Sequence, residues 1–167
     1  LQDLVSEKIE KTKNNDESDF HSRGGIVHRL DKETSGVIIV AKNKNSFEFL
    51  QKQFKERKVE KEYVALVHGE VTSSEGLIKV PVGRLPWNRK RFGVIAGGRE
   101  AETYYQVISK FEIPNSNENF TLIRLFPKTG RTHQIRVHLK YFGHPVFGDS
   151  LYAGRKVSRN DRKILNR

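Results

Sequence analysis

His28-Arg29-Leu30-Asp31-Lys32-Glu33-Thr34-Ser35-Gly36 is a charged turn set between two short apolar runs, Ile26 to His28 and Val37 to Ala41. The runs read as short buried strands, and the polar residues between them as the loop that joins them. Loops pinned by rigid strands are where catalytic groups collect. Asp31 has Arg29 and Lys32 as neighbours, with hydroxyls at Thr34 and Ser35. Nearby cations and hydrogen-bond donors both keep a carboxylate ionised even when it is partly buried. Such an aspartate can act as nucleophile or base. It can equally tie the turn together by accepting backbone N–H bonds, and the turn alone leaves both readings open.

Outward from this turn, periodicity sets out the other elements. Leu1, Leu4, Val5 and Ile9 fall at helical spacing, predicting an amphipathic helix to about Lys13, and the polar run Asn14 to Gly25 reads as a loop. Ser46 is the expected N-cap of a helix over Phe47 to Lys58, with Phe47, Leu50 and Phe54 on one face. Strands are expected at Lys61 to Gly69, Leu77 to Val82, Ala101 to Phe111 and Phe120 to Phe126, with Gly, Pro and Asn between them. A last helix is expected from Thr132 as N-cap, burying Ile135, Leu139 and Phe142 and stopped by Gly143 and Pro145. His133, Arg136 and Lys140 would form a cationic stripe along it. A sheet with helices interspersed predicts one α+β or mixed α/β domain.

Composition points to a polyanionic partner. The 167 residues hold 31 Lys and Arg against 20 Asp and Glu, a net charge of +11, with a pI of about 9.9. Residues 1–62 carry 13 basic and 12 acidic side chains, whereas residues 63–167 carry 18 and 8, so the polyanion should meet the second part of the chain. Leu77 to Arg99 contains no acid, and Arg155 to Arg167 has six basic residues against Asp161 alone. With no cysteine, disulfides, Cys-ligated zinc, iron–sulfur clusters and thiol nucleophiles are excluded. The apolar runs are too short for a membrane-spanning helix and no signal-peptide pattern opens the chain, so a soluble, cytoplasmic monomer is expected. There is no methionine, and Leu1 starts inside a helical pattern, which reads as an excised fragment. P-loop, nucleophile-elbow, Rossmann and H-E-x-x-H motifs are all missing.

Two more stretches carry candidate chemistry. In Thr129-Gly130-Arg131-Thr132-His133-Gln134-Ile135-Arg136-Val137-His138, a helix start brings unpaired N–H groups beside Arg131 and Arg136. That is a clamp for phosphate or carboxylate, and Gln134 is placed to read a base edge. A basic solvated helix is the plainer reading. His133 and His138 stand five apart, the wrong spacing for a zinc pair on one helix face, and no metal is expected. In Arg84 to Arg99, Trp87 and Phe92 interleave with Arg89, Lys90 and Arg91, a pattern that holds single-stranded nucleic acid by cations on phosphates and rings on bases. Trp87 equally suits a role packing its loop onto the sheet. Tyr63, in a strand, either points toward a cleft or fills core.

Taken together, Gly25 to Val37 with its His-Arg-Leu-Asp and Thr-Ser-Gly elements, Lys61-Glu62-Tyr63-Val64-Ala65-Leu66-Val67-His68-Gly69, and Thr129 to Leu139 resemble, in order and spacing, the signature motifs of the RluA family of RNA pseudouridine synthases. Gly143 to Asp149 and Tyr152 extend the resemblance, which runs nearly continuously over residues 24–154. It implies the pseudouridine synthase fold, an α+β domain with a mixed, largely antiparallel central sheet flanked by helices. It also implies isomerisation of uridine to pseudouridine in structured RNA, ribosomal or transfer, without metal or nucleotide cofactor. By the same resemblance Asp31 matches the essential aspartate, Tyr63 the tyrosine that contacts the base, Arg136 the arginine that pairs with the aspartate, and Arg29 an arginine associated with opening the RNA. Arg131, His133, Gln134, Arg84, Arg89, Lys90 and Arg91 are the expected RNA contacts. The family pattern has a strand ahead of Leu1, often a small S4 RNA-binding domain before that, and a further strand after Arg167. On that pattern residues 1–167 are expected to be a fragment of the catalytic domain. The alternative is a non-catalytic RNA-binding module on the same fold.

Overall fold

The computed structural model describes residue 5, residues 19–112 and residues 118–165. The chain divides into two compact units, residues 1–59 and residues 60–167. The helix expected over residues 1–13 lies outside the described residues, apart from Val5, which is helical.

Among the described residues the first unit holds a one-turn helix α1 (Asp19–Ser22), within the run expected as a loop, and α2 (Lys44–Lys55). Phe20 on α1 and Phe47 on α2 meet ring to ring at 5.7 Å, and with Val27 and Ala41 they make the core against which Leu50 and Phe54 pack. The expected face of α2 is thus the buried one. Its start is earlier than expected: Asn43 is the N-cap, its side chain accepting from the Ser46 N–H at 2.9 Å, so Ser46 lies inside the helix. Asn and Ser cap about equally well, and here the first competent residue in the chain took the position.

Ile26–His28 and Val37–Ala41 do not form strands. They are joined by a single antiparallel bridge, Ile26 to Val40, and Val37 is 83% exposed. Beyond that bridge the two runs are not paired as a ladder, and Ile39 N–H is held by the His28 ring instead of a facing carbonyl.

The second unit is built on a four-stranded sheet in which every strand pair is antiparallel, ordered β1 (Tyr63–His68), β6 (Asn119–Pro127), β5 (Glu102–Glu112), β2 (Glu75–Lys79). Val67, Ile78, Tyr105, Ile123 and Leu125 alternate onto one face and pack with Leu139 of helix α3 (Gln134–Tyr141). Burying one such side chain contributes about 1.5–3 kcal/mol. The sheet requires glycine at Gly76, where an added Cβ would fall 2.8 Å from the Tyr105 ring opposite it. The α+β class and the four expected strand regions are present.

Two expectations are corrected. The Leu77–Val82 strand ends at Lys79, because Pro81 lacks the N–H needed to continue the ladder. Val82–Leu85 is instead β3, paired with an unexpected β4 (Asn88–Val94) in a hairpin whose turn is Pro86-Trp87. The last described element is helix α4 (Arg155–Ile164).

Candidate functional site

Helix α3 starts in an unusual way. The expected N-cap, Thr132, is displaced by His133, which holds the left-handed conformation at φ 55° and makes no side-chain cap. The segment entering the helix is instead tied down by the side chain of the next residue. Gln134 is buried; its Oε1 accepts from the Thr129 hydroxyl at 2.6 Å and the Arg131 N–H at 2.9 Å, while its Nε2 donates to the Glu102 carbonyl and the Thr103 hydroxyl, each at 3.0 Å. Thr129 Oγ1 also accepts from Glu102 N–H at 3.1 Å. The amide's donors and acceptor are engaged within the fold, which corrects the base-reading role expected of Gln134: it ties the helix start to β5. Phe142, expected in the core, is 38% exposed just past the helix.

This anchoring sets the position of Arg136. Its Nε donates to Asp149 Oδ2 at 2.7 Å and its Nη2 to Oδ1 at 2.9 Å, a forked pair, and its guanidinium lies 4.9 Å from the centre of the Tyr152 ring. Asp149 is almost wholly buried. Burial pushes its carboxyl up, but the Arg136 hydrogen bonds and charge, with the N–H groups of Leu151 and Tyr152, outweigh that and hold it below the usual carboxylate range. The expected cationic stripe is therefore not a solvated one: Lys140 is exposed, Arg136 is half-buried on Asp149, and His133 Nδ1 lies 2.8 Å from the Tyr152 hydroxyl.

The same tyrosine joins the basic hairpin to this helix. The Phe92 N–H of β4 donates to the Tyr152 hydroxyl at 3.1 Å, and the Phe92 ring meets His133 edge-on at 5.5 Å. The Arg84 guanidinium lies 4.8 Å from the centre of the Phe92 ring and donates to the Arg89 carbonyl. Phe92 is thus a structural ring. Trp87 at the hairpin tip is 77% exposed, so it does not pack its loop onto the sheet. Arg89 and Lys90 are exposed beside it and Arg91 is partly so. Arg131 donates to the Glu100 carbonyl at 3.1 Å, and Tyr63 borders the sheet core together with Ile135, the residue before Arg136.

Asp31 and Arg29 belong to the first unit. Their loop is tied at its base by Ala41 N–H to the Gly25 carbonyl at 2.9 Å, and further in by Ile39 N–H to His28 Nε2 at 3.0 Å. Because Nε2 accepts, the His28 proton sits on Nδ1. The ring stacks on Phe54 of α2 at 5.0 Å. Thr34 N–H closes a turn onto the Asp31 carbonyl at 3.0 Å. Asp31 is half-buried and Arg29 exposed.

Asp149 and Tyr152, which hold Arg136, were not singled out as site residues by residue-by-residue reading. The signal was present: a lone acid closing a basic region, three residues from a tyrosine. Among the described residues, no three or more His, Cys, Asp or Glu side chains gather as metal ligands would, and no helix is long and apolar enough to cross a membrane.

Comparison with known proteins places these features in a family. Residues 2–141 match the family model described as RNA pseudouridylate synthase. The chain is 48% identical over 144 residues to an uncharacterized RNA pseudouridine synthase of Aquifex aeolicus, covering 86% of this chain and 44% of that protein. It is 46% identical over 143 residues to the ribosomal large subunit pseudouridine synthase D of Borreliella burgdorferi, covering 85% and 41%. Among solved structures, human RNA pseudouridylate synthase domain containing 1 matches with a TM-score of 0.75 and 32% identity, over 86% of this chain and 61% of that one. The chain spans less than half the length of these two curated relatives. With the Asp31 loop, the Arg136 helix and the antiparallel sheet in place, the chain belongs to the RNA pseudouridylate synthase family.

Proposed function

We propose that this chain is the catalytic part of an enzyme that isomerises uridine to pseudouridine in structured RNA, with large-subunit ribosomal RNA, the substrate class in the Borreliella relative's name, preferred over transfer RNA. The observation that carries the reading is Asp31, half-buried in a loop tied at its base, inside a family match over residues 2–141.

The chemistry asks little of the protein beyond placement. The N1–C1′ bond breaks, the uracil turns, a C5–C1′ bond forms, the C5 proton leaves and N1 takes up a proton, so every atom of the nucleotide is accounted for without oxidant, reductant or hydrolysis. We take the reaction to need no metal or cofactor. A carboxylate is itself a nucleophile, and Asp31 is placed in this proposal to attack C1′ or to support elimination there. In this reading Tyr63 holds the detached ring, and Arg136 supplies the positive charge that balances Asp31. Asp149 occupies two of the five N–H donors of the Arg136 guanidinium. A base inside a duplex is out of reach and must be extruded, which suits the hairpin cations Arg84, Arg89, Lys90 and Arg91, with Arg29, Arg131 and His133 as further RNA contacts. The enzyme acts as a cytoplasmic monomer in this proposal.

The test is tritium release from RNA labelled at uridine C5. Asp31→Asn should abolish release while RNA binding is largely kept; release at the unaltered rate would remove Asp31 from catalysis, and RNA binding without any release by the unaltered full-length protein would favour a binding module.

A further inference from the structure

Helix α4 breaks the rules by which helices stabilise themselves. Arg155 and Lys156 stand in its first turn, against the partial positive charge of the N-terminus, no acid is there to offset them, and the cap residue Gly154 supplies no side-chain hydrogen bond. Arg155 and Arg159, and Arg159 and Lys163, are like charges at i, i+4, with Arg162 at i+3 from Arg159. At 100° per residue the five cations Arg155, Lys156, Arg159, Arg162 and Lys163 fall within a sector of about 120°. All five are exposed, and among the described residues no ion pair reaches any of them.

The opposite face is not an apolar stripe either. Its buried residues are Ser158 and Asp161. Asp161, 1% exposed, has Oδ2 at 3.1 Å from His68 Nε2 and accepts from the Gly148 N–H at 2.8 Å. Glu118 lies on the other ring nitrogen of His68, at 3.2 Å. One carboxylate therefore fixes the helix to the end of β1 and to the loop that carries Asp149.

A locally unfavourable helix that is firmly anchored is the mark of a part kept for function. We propose that α4 is a second grip on the RNA backbone, separate from the β3–β4 hairpin, with its five cations set against successive phosphates; this rests on the reading of the chain as an RNA enzyme. Charge complementarity selects the partner. The cationic sector contains no aromatic or aliphatic residue, whereas helices that lie on membranes pair their cations with a broad apolar face.

The experiment compares the protein with its Arg159→Gln/Arg162→Gln/Lys163→Gln variant, using a transcript of structured ribosomal RNA over a range of salt concentrations and vesicles containing phosphatidylglycerol. The variant should bind the transcript roughly tenfold more weakly, with the slope of log affinity against log salt reduced by about 2 to 3, one phosphate contact per cation removed. Its melting temperature should be equal or higher, since like charges are gone, so weaker binding cannot be assigned to unfolding. An unchanged affinity and slope overturns the proposal, as does cation-dependent capture by the vesicles with RNA binding unaltered. If the protein binds RNA with this slope difference yet forms no pseudouridine, the synthase reading fails and the assignment of α4 stands.

Discussion

Asp149 and Arg136 face each other through two hydrogen bonds, 2.7 and 2.9 Å, with the carboxylate nearly sealed from solvent and the guanidinium one-fifth exposed. The fork fixes the plane of the guanidinium as well as its position, and the Tyr152 ring beneath it removes the remaining freedom. The positive charge that the proposed reaction assigns to Arg136 is in this way oriented before any substrate arrives.

Removing one partner leaves the other buried and uncompensated. Asp149→Asn should cost about 3–5 kcal/mol in urea unfolding, and Arg136→Lys should not restore activity, because an ammonium cannot form the fork. The pH dependence follows from the lowered carboxyl of Asp149: its contribution is complete above about pH 3.8, the ordinary value, and is lost as pH falls through its lower folded value. An Asp149→Asn protein unfolding at the same urea concentration as the unaltered one would contradict this.

His138 gives an opposite charge case with the same sign. The ring is fully buried, Nε2 is 3.3 Å from the Val80 carbonyl, and Nδ1 has no hydrogen-bond partner among the described residues. Burial lowers its pKa, against the Val80 hydrogen bond that raises it. The unfolded chain therefore takes up a proton that the fold refuses, and stability should decline once pH falls below about 6.5, by up to about 1.4 kcal/mol per pH unit. Urea midpoints at pH 7.5 and 5.5 should differ less in His138→Leu than in the unaltered protein.

Gly25 should be needed for the chemistry although it carries none. Its φ is +67°, and a Cβ there would lie 2.3 Å from the Ala41 carbonyl oxygen. Gly25→Ala should open the base of the Asp31 loop, reducing tritium release by at least about tenfold through misplacement of Asp31, with salt-dependent RNA binding kept. Full activity in this variant would show that the loop tolerates an untied base.

Trp87 provides the reverse case, a large apolar side chain with no structural work. Trp87→Ala should leave the melting curve within about 0.5 kcal/mol and weaken binding of single-stranded RNA roughly tenfold, the amount one stacked base contributes. A drop in stability with unchanged RNA affinity would make Trp87 a packing residue.

What could be read from the chain depended on how local the cause was. Phe47, Leu50 and Phe54 announced their helix because the apolar spacing and the packing agree. Strand β4 did not: Asn88 to Phe92 shows no alternation, and beyond its local pairing with β3 one backbone N–H is held by Tyr152, sixty residues away from Phe92. Val37 to Ala41 looked like a strand from its β-branched residues, yet propensity alone does not make a ladder, and the run keeps a single bridge with its Ile39 N–H turned to the His28 ring. The Asp31 loop was legible through its motif, and the Tyr63 and Arg136 segments likewise. The work of Asp149 was not, since a lone acid gives no sign of which arginine will fold back onto it. Gln134 misled for a related reason: a polar residue in a basic motif looks available until its four partners are in place.

The contact between His68 and Asp161 joins residues 93 positions apart, and β1 pairs with β6, the last strand of its sheet. During synthesis, the second unit cannot close its sheet until Pro127 has left the ribosome, nor its anchor until Asp161 has. Helix α2 and its core need only their own local stretch. Such non-local pairing slows folding, so the first unit should acquire protease resistance on shorter nascent chains than the second, and the interval between them is when β1, unpaired, is most exposed to aggregation.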